Sequence, residues 1–565
     1  MRPVPWDDRG VIDHPGELSD LLREQGADAA RLHDVLAALA GGGWWSTRDL
    51  VRETAVAHRL VERVVEALGE EVERETADRA ADAGRETRVR LRSPSRYTGF
   101  SRPRLADPVG HLLDGHAEAA AELERLVAEA PSSRVDLDHV AASARTALRR
   151  GVFLAARFAL PGARLLCVGD HDLTSLATTL VGKDTEAVVV DIDERMLAYI
   201  DAAAQRLGLP VRCHFADLRL GLPEAVRGQA DLVFTDPPYT PEGVELFVRR
   251  GLEGLADPRR GRVLVAYGAS ETTPALVAKT QSRLVRMGLV SEAIWPDFNR
   301  YLGAEAIGAT SDLYVLRPTS RTPVGDAAGA DAARIYSQGA NAKEAAAALP
   351  EEDARSVLER VAGDSDTGRV DTVVGAWPKG AVPDGVRGVR LSTWLGSPTP
   401  GDRVAINLTG GWEALLDRVI LAASAREVHV VVPSSAEAVR DREGQEALRA
   451  RIEPRYTVRF LRGVPGPRAT VVVARARELG AEASPGQRLL WHCQDRAHGR
   501  LTSTLREGLI AVTAQLGLPL NKKGARTRVA ASAPWLPGHT LLDLPGHRFG
   551  ELRAVTDRLV AEFRD

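Results

Sequence analysis

A chain of 565 residues exceeds one ordinary domain and predicts about three. With 44% apolar and 27% charged residues it has the balance of a globular protein, and a net charge of −3 argues against non-specific coating of nucleic acid while leaving room for a local basic patch. The three cysteines, Cys167, Cys213 and Cys493, form no C-x-x-C pair, so neither a disulfide framework nor a zinc ribbon is indicated. The opening Met1-Arg2-Pro3-Val4-Pro5-Trp6-Asp7-Asp8 has no apolar signal core, and no run of about 18 apolar residues occurs. The expectation is a cytoplasmic protein with no membrane partner.

Residues 1–130 read as a helical, winged-helix-like domain. Asp28–Ala40 is amphipathic and ends at Gly41-Gly42-Gly43. Ser46 then reads as an N-cap with Asp49 reaching back from N3, and a second helix follows over about Ala57–Leu68. Thr87–Leu91 would supply a wing strand. Packing or dimerisation suits this unit better than DNA reading, although nucleic acid stays possible as a partner.

Residues 131–318 alternate strands and helices. Arg164–Val168, Ala187–Val190, Val211–Phe215, Asp231–Thr235, Arg262–Ala266 and Ser311–Leu316 are the strands, with a helix from about Leu173. This alternation predicts an α/β, class I methyltransferase-like Rossmann core with a parallel, doubly wound sheet and ligands at the carboxyl ends of its strands. Residues 319–365 read as a linker and a loosely patterned Ala-rich helix. Residues 366–565 read as a second α/β domain, with strands at Thr372–Val374, Arg403–Asn407, Glu427–Val432, Thr470–Ala474 and Leu489–His492. Arg403–Gly411 followed by Val428–Val432 echoes Arg164–Asp170 and Val188–Asp191. Pro433-Ser434-Ser435 stands where a ribose-binding carboxylate would be, as in a degenerate second copy without a nucleoside.

The chemistry concentrates in the core. Gly169 lets the backbone approach a ligand after the first strand. The loop it opens, Asp170-His171-Asp172, is acidic and would repel a pyrophosphate, so it suits a cationic ligand; alternatively its carboxylates cap the next helix, Asp172 being a fair N-cap. Asp191 ends the second strand where an acid accepts from ribose hydroxyls, while Asp193 and Glu194 suit the next helix start. Asp217, followed by Leu218, is placed to accept from an adenine amino group. The sharpest signal is Asp236-Pro237-Pro238-Tyr239-Thr240 after Leu232-Val233-Phe234. Two prolines stiffen this loop and give up two amide donors, so Asp236 and the loop carbonyls can accept from an amine and Asp236 can take its proton. Tyr239 can pack on the substrate and add a cation–π contact. Together these groups describe a sulfonium nucleoside pocket with an amine acceptor.

These motifs resemble the branched-chain polyamine synthase family, also called N4-bis(aminopropyl)spermidine synthases, over roughly residues 32–316. The resemblance implies a winged helix plus a Rossmann core, typically dimeric. It implies transfer of aminopropyl groups from decarboxylated S-adenosylmethionine, a co-substrate and not a tightly bound cofactor, to a polyamine such as spermidine, with release of methylthioadenosine. It would make Asp170, Asp236 and Tyr239 catalytic. Gly169, Asp191, Asp217 and Leu218 would hold the nucleoside, and His171, Asp172, Pro237 and Pro238 the acceptor. His171 stands where the family loop carries a middle carboxylate, and the family does not account for residues 317–565. Two other readings are an S-adenosylmethionine-dependent amino-group methyltransferase acting on nucleic acid or a small amine, and a non-catalytic DNA-binding regulator.

In the last third, His492, Cys493 and His498 match no standard metal spacing, so no metal is expected. Asn521-Lys522-Lys523-Gly524-Ala525-Arg526-Thr527-Arg528 is a basic cluster, read as a solvated loop or as a site for phosphate or an acidic partner.

Overall fold

The computed structural model describes residues 15–561 except 79–84, 102–105, 183, 269–272, 306–307, 324–334, 337–348 and 364–368. Met1–Asp8 and the Ala-rich part of the linker therefore lie outside the described residues. Among the described residues no helix is long and apolar enough to cross a membrane.

The first unit packs helices Gly16–Gln25, Ala29–Leu39, Thr47–Thr54 and His58–Ala67 on strands β1 (Trp45–Ser46), β2 (Val72–Asp78) and β3 (Arg85–Leu91), in the order β1-β3-β2. Ser46 caps as expected: its hydroxyl accepts from the Asp49 amide at 3.1 Å and donates to the Asp49 carboxylate at 2.7 Å. Leu32, Leu36, Leu50, Val61 and Val64 form the core of this unit.

The central sheet contains β4 (Ala141–Ala142), β5 (Arg164–Val168), β6 (Glu186–Asp191), β7 (Val211–Phe215), β8 (Leu232–Thr235), β9 (Arg262–Tyr267), β10 (Leu289–Leu302) and β11 (Thr310–Pro318). Its order is β4-β10-β11-β9-β8-β5-β6-β7. The five strands from β9 to β7 are parallel, but β11, β10 and β4 run antiparallel, so the sheet is not wholly parallel. Strand β10 was not legible in the sequence, because Pro296, Asp297 and Asn299 interrupt it. The structure accommodates them through register shifts between Ser291 and Ala293 and between Trp295 and Asn299, with Asp297 at φ +52°.

The first unit clamps the β10–β11 hairpin. Arg31 donates to Asp297 at 2.9 Å and to the Ala55 carbonyl at 2.7 Å, and Arg52 pairs with Glu305. Gly308 is required there: its φ is +84°, and a Cβ would lie 2.7 Å from the Ala55 carbonyl oxygen.

The third unit has β12 (Thr372–Gly375), β13 (Arg387–Val389), β14 (Arg403–Asn407), β15 (Glu427–Pro433), β16 (Tyr456–Arg462) and β17 (Ala469–Ala476), in the order β13-β12-β14-β15-β17-β16. Pairing is parallel from β13 to β15 and antiparallel for β17 and β16. This reproduces the order and sense of β6-β5-β8-β9-β11-β10, with no counterpart of β7 or β4 among the described residues. The expected second copy is thus present in topology but shifted: β14 takes the place of β8, not of β5.

Two other expectations are corrected. Leu489–His492 is helical, inside Pro485–Asp495, where Ser484 and Gln487 form a capping box and Pro485 occupies the first turn. The basic cluster is helix Lys522–Ser532, with the Asn521 side chain accepting from the Gly524 amide, and not a loop. Helices Leu501–Gln515 and Arg548–Ala561 complete this unit.

The third unit covers β7, the edge of the central sheet. The Phe215 amide donates to the Asp543 carbonyl at 2.8 Å, so part of that edge is not left open. The Arg418 guanidinium, 1% exposed, stacks over Phe215 and Phe549, pairs with Asp417, and donates to Glu194 at 2.8 Å. Glu194 thereby serves docking, while Asp193 alone caps the following helix. Arg418→Ala leaves Asp417 with Arg451 as its charged partner and the amide of residue 418. It should cost about 3–5 kcal/mol, read as a lower urea midpoint, as expected for breaking a buried ion pair. An unchanged midpoint would show that this cluster does not hold the units together.

Candidate functional site

The site forms where β5, β6 and β8 end and where helix Ala144–Arg157 and β10 reach the same point. Gly169 follows β5 at φ +72°, and a Cβ there would lie 3.3 Å from the Phe247 ring. Only glycine lets the chain turn so close to that ring. Asp170 then caps the next helix: its oxygens accept from the Thr174 and Ser175 amides at 2.7 and 3.1 Å. Burial pushes its carboxyl up to about 7, against the hydrogen bonds from Ser175 and Thr174. Between Asp170 and that helix, Leu173 is held at φ +60°, a strained conformation for a branched side chain.

Asp172 is not the cap. It accepts from the Ala142 amide at 2.8 Å and from Arg150 Nη1 at 2.9 Å. His171, whose ring stacks on His139 at 4.3 Å, lies 2.8 Å from the Val140 carbonyl and 3.2 Å from Asp172. Burial opposes charging of His171, but the Asp172 and Asp236 carboxylates outweigh it and raise its pKa. His139, by contrast, is held well below the usual histidine range by burial and by the neighbouring His171. One imidazole of the stack is thus favoured as the cation and the other as the neutral base.

Asp236 meets the same guanidinium from β8. Its Oδ2 accepts from Arg150 Nη2 at 2.6 Å and from the Tyr301 hydroxyl at 2.7 Å. Arg150 also donates to Asn299 at 2.8 Å and lies over the Phe234 ring at 4.8 Å. Burial, and next the charge of Asp172, raise the Asp236 carboxyl, while Arg150 opposes the shift. Tyr239 is partly buried beside Tyr267, and its phenol is held far above its usual range, first by desolvation of the hydroxyl and then by Asp236.

Asp191 turns both oxygens to the backbone, accepting from the Asp170 amide at 3.0 Å and the Asp193 amide at 2.8 Å, and burial raises its carboxyl. Asp217 lies just beyond, with both oxygens on the Arg219 guanidinium. An adenine amino group would share that carboxylate with Arg219. Arg219 in turn stacks on Trp412 of the third unit at 3.7 Å and donates to the Gly411 carbonyl at 2.6 Å.

Two small adjoining cavities result. One is lined by Gly169, Asp191, Leu218, Phe247 and Tyr336, the other by Pro237, Tyr239, Tyr301 and Ala304. Asp138, His171 and Asp236 line both, and Pro238 lines the first. Of the expected residues, Gly169, His171, Asp191, Leu218, Asp236, Pro237, Pro238 and Tyr239 line these cavities, whereas Asp170 is turned to the helix start, Asp172 to Ala142 and Arg150, and Asp217 to Arg219. Sequence reasoning missed Arg150, Tyr301, Asn299 and Tyr336, which come from outside the βα loops and carry no local signature. His492, Cys493 and His498 are not brought to one point: His492 faces Arg496, His498 faces the Trp394 carbonyl, and Cys493 is buried.

Residues 118–329 match the family model described as Branched-chain polyamine synthase A C-terminal domain. The chain is 35% identical to an N(4)-bis(aminopropyl)spermidine synthase of Thermus thermophilus over 198 residues, 34% of this chain and 50% of that protein. It is 31% identical to the synthase of that name from Thermococcus kodakarensis over 147 residues, 26% of this chain and 42% of that protein. The chain therefore spans about half the length, or less, of these curated relatives. A solved branched-chain polyamine synthase of Thermus thermophilus, in complex with N4-aminopropylspermidine and 5'-methylthioadenosine, aligns at 24% identity and TM-score 0.40, covering 56% of this chain and 96% of that one. Over residues 118–329, the chain carries a domain of the branched-chain polyamine synthase family.

Proposed function

We propose that the chain is an aminopropyltransferase that moves aminopropyl groups from decarboxylated S-adenosylmethionine to an amine of a polyamine such as spermidine. The observation that carries this reading is Asp236 lining both cavities, one suited to a nucleoside and the other to an amine. The acceptor nitrogen attacks the propyl carbon bonded to the sulfonium; the N–C bond forms as the C–S bond breaks. Sulfur leaves as the neutral thioether of methylthioadenosine, and the proton lost by nitrogen passes to Asp236. A carboxyl raised by burial is a better proton acceptor than an exposed one. Arg150 and the Tyr301 hydroxyl both bind Oδ2, which leaves Oδ1 for the amine. Asp191 and Gly169 would hold the ribose end, and Leu218 and Tyr336 would flank the base. A homodimer is part of this reading by resemblance to the family.

The competing reading, methyl transfer to an amino group, gains from Arg150, which neutralises part of the acidic loop. A DNA-delivering role for the first unit has less support: the exposed Arg59, Glu62 and Glu66 of its helix His58–Ala67 mix charges, and Arg31 and Arg52 are engaged with the core.

Calorimetry with decarboxylated S-adenosylmethionine against S-adenosylmethionine, followed by incubation with spermidine and mass spectrometry, separates the two. Tighter binding of the decarboxylated nucleoside and products heavier by aminopropyl units are expected; preference for S-adenosylmethionine and a methylated product would overturn the proposal. Asp236→Asn should retain nucleoside affinity and lose about 10²-fold or more in turnover. In the wild type the rate should fall with decreasing pH on a limb well above the ordinary carboxylate range, because the raised Asp236 carboxyl must be ionised to accept the proton. A limb at the ordinary carboxylate position would remove Asp236 as the base. Asp191→Ala should weaken nucleoside binding by about tenfold or more, as for a lost charge-assisted hydrogen bond; unchanged affinity would show the ribose assignment to be wrong.

A further inference from the structure

A second cluster lies away from the site, on the seam between the central sheet and the third unit. His214 projects from β7, while His539 and Asp543 come from the loop before helix Arg548–Ala561. All three are buried, at 3%, 5% and 7% exposure. Among the described residues they are the group of histidine, cysteine and carboxylate side chains whose ligand atoms converge, all within 4.8 Å of one another.

Both imidazoles aim Nδ1 at one oxygen, Asp543 Oδ1, at 3.2 Å from His214 and 3.1 Å from His539. Tetrahedral zinc with bonds of about 2.0–2.1 Å separates its ligand atoms by about 3.3 Å, which matches the two nitrogen–oxygen spacings, while the two histidine ligand atoms lie within 4.8 Å of each other. The carboxylate is already oriented: Oδ2 accepts from the Thr540 hydroxyl at 2.6 Å and from the Thr540 amide at 3.2 Å. Such outer contacts fix a ligand in a metal site. The two rings stack at 4.2 Å. His539, but neither His214 nor Asp543, lines a neighbouring cavity of about 370 Å³. The nearby Arg548 is paired with Asp201 and Glu551.

The geometry points to a divalent transition-metal site of the zinc class at His214, His539 and Asp543. One ligand comes from the edge strand of the transferase core and two from the third unit, so the ion would clasp the two units together. This assignment does not depend on what the active site transfers.

The test uses the full-length chain stripped with chelator, dialysed, and titrated with Zn(II) and with Co(II). Expected are one equivalent of zinc retained after gel filtration, visible d–d absorption of low-symmetry Co(II), and a rise in Tm with zinc. Asp543→Asn and His539→Gln, close in size to the originals, should lose the bound equivalent and the Tm rise. Anomalous scattering at the zinc edge from wild-type crystals covers the case in which the variants fail to fold. A peak at the three residues supports the site. No retained metal, metal retained equally by folded variants, or a peak elsewhere overturns it, and leaves Asp543 as a carboxylate hydrogen-bonded to two imidazoles.

Discussion

The guanidinium of Arg150 is fully buried between Asp172 and Asp236, and three separate parts of the chain meet on it. Taking an arginine and two carboxylates out of water is expensive, and the arrangement survives only because each donor has a matched acceptor. Nε takes Asn299, Nη1 takes Asp172 and Thr174, and Nη2 takes Asp236 and Tyr301. The helix bearing Arg150 is set against β10 by Ser143 and Thr146, which bond to the Arg300 carbonyl. The acidic loop after β5, the Asp-Pro-Pro-Tyr loop after β8 and the irregular strand β10 are thus mutually fixed. Without the guanidinium, two carboxylates would face each other and share a proton, and neither would keep a defined ionisation state.

The third unit repeats the topology of the core but not its chemistry. At the carboxyl end of its β12 and β14, the Asn407 amide bridges to the Ala376 carbonyl at 2.6 Å, while its oxygen accepts from Thr409. These contacts draw together the two loops between which a doubly wound sheet normally admits a ligand. Arg219, reaching over from the core, binds the neighbouring Gly411 carbonyl and stacks on Trp412. The copy therefore buttresses the Asp217 loop, and further contacts reach Phe215 of β7 and the Glu194 and Asp201 side chains. Among the described residues these contacts cover part of a sheet edge that the core alone would expose to water and to other chains.

Much of the core was legible in the sequence because its strands are short apolar runs that end in Gly, Asp or Pro. Arg164–Val168 and Val211–Phe215 have the expected bounds, and Gly169, Asp191 and Asp236 follow strands at the edge where ligands bind. Where the pattern misled, the reasons are specific. Leu489–His492 is too short an apolar run to tell strand from buried helix, and the helix signal lay outside it, in Ser484-Pro485 and Gln487. Strand β10 carries a proline and a left-handed aspartate, which in isolation read as a break. Asp170 and Asp172 were both candidates for the cap, and only the position of Arg150 separates them.

The sequence by itself determined the local steps: where strands end, which loops are stiff or acidic, and which carboxylates stand at the ligand edge. It did so because those properties depend on a few adjacent residues. Tertiary structure decided which of those carboxylates are neutralised, since Arg150 lies 86 positions from Asp236 and Tyr301 lies 65. It also decided that His214 meets Asp543 across 329 positions, and that the final third of the chain repeats the core fold shifted from the apparent echo. Burial and long-range pairing set charge, pKa and register, and no window of adjacent residues contains them.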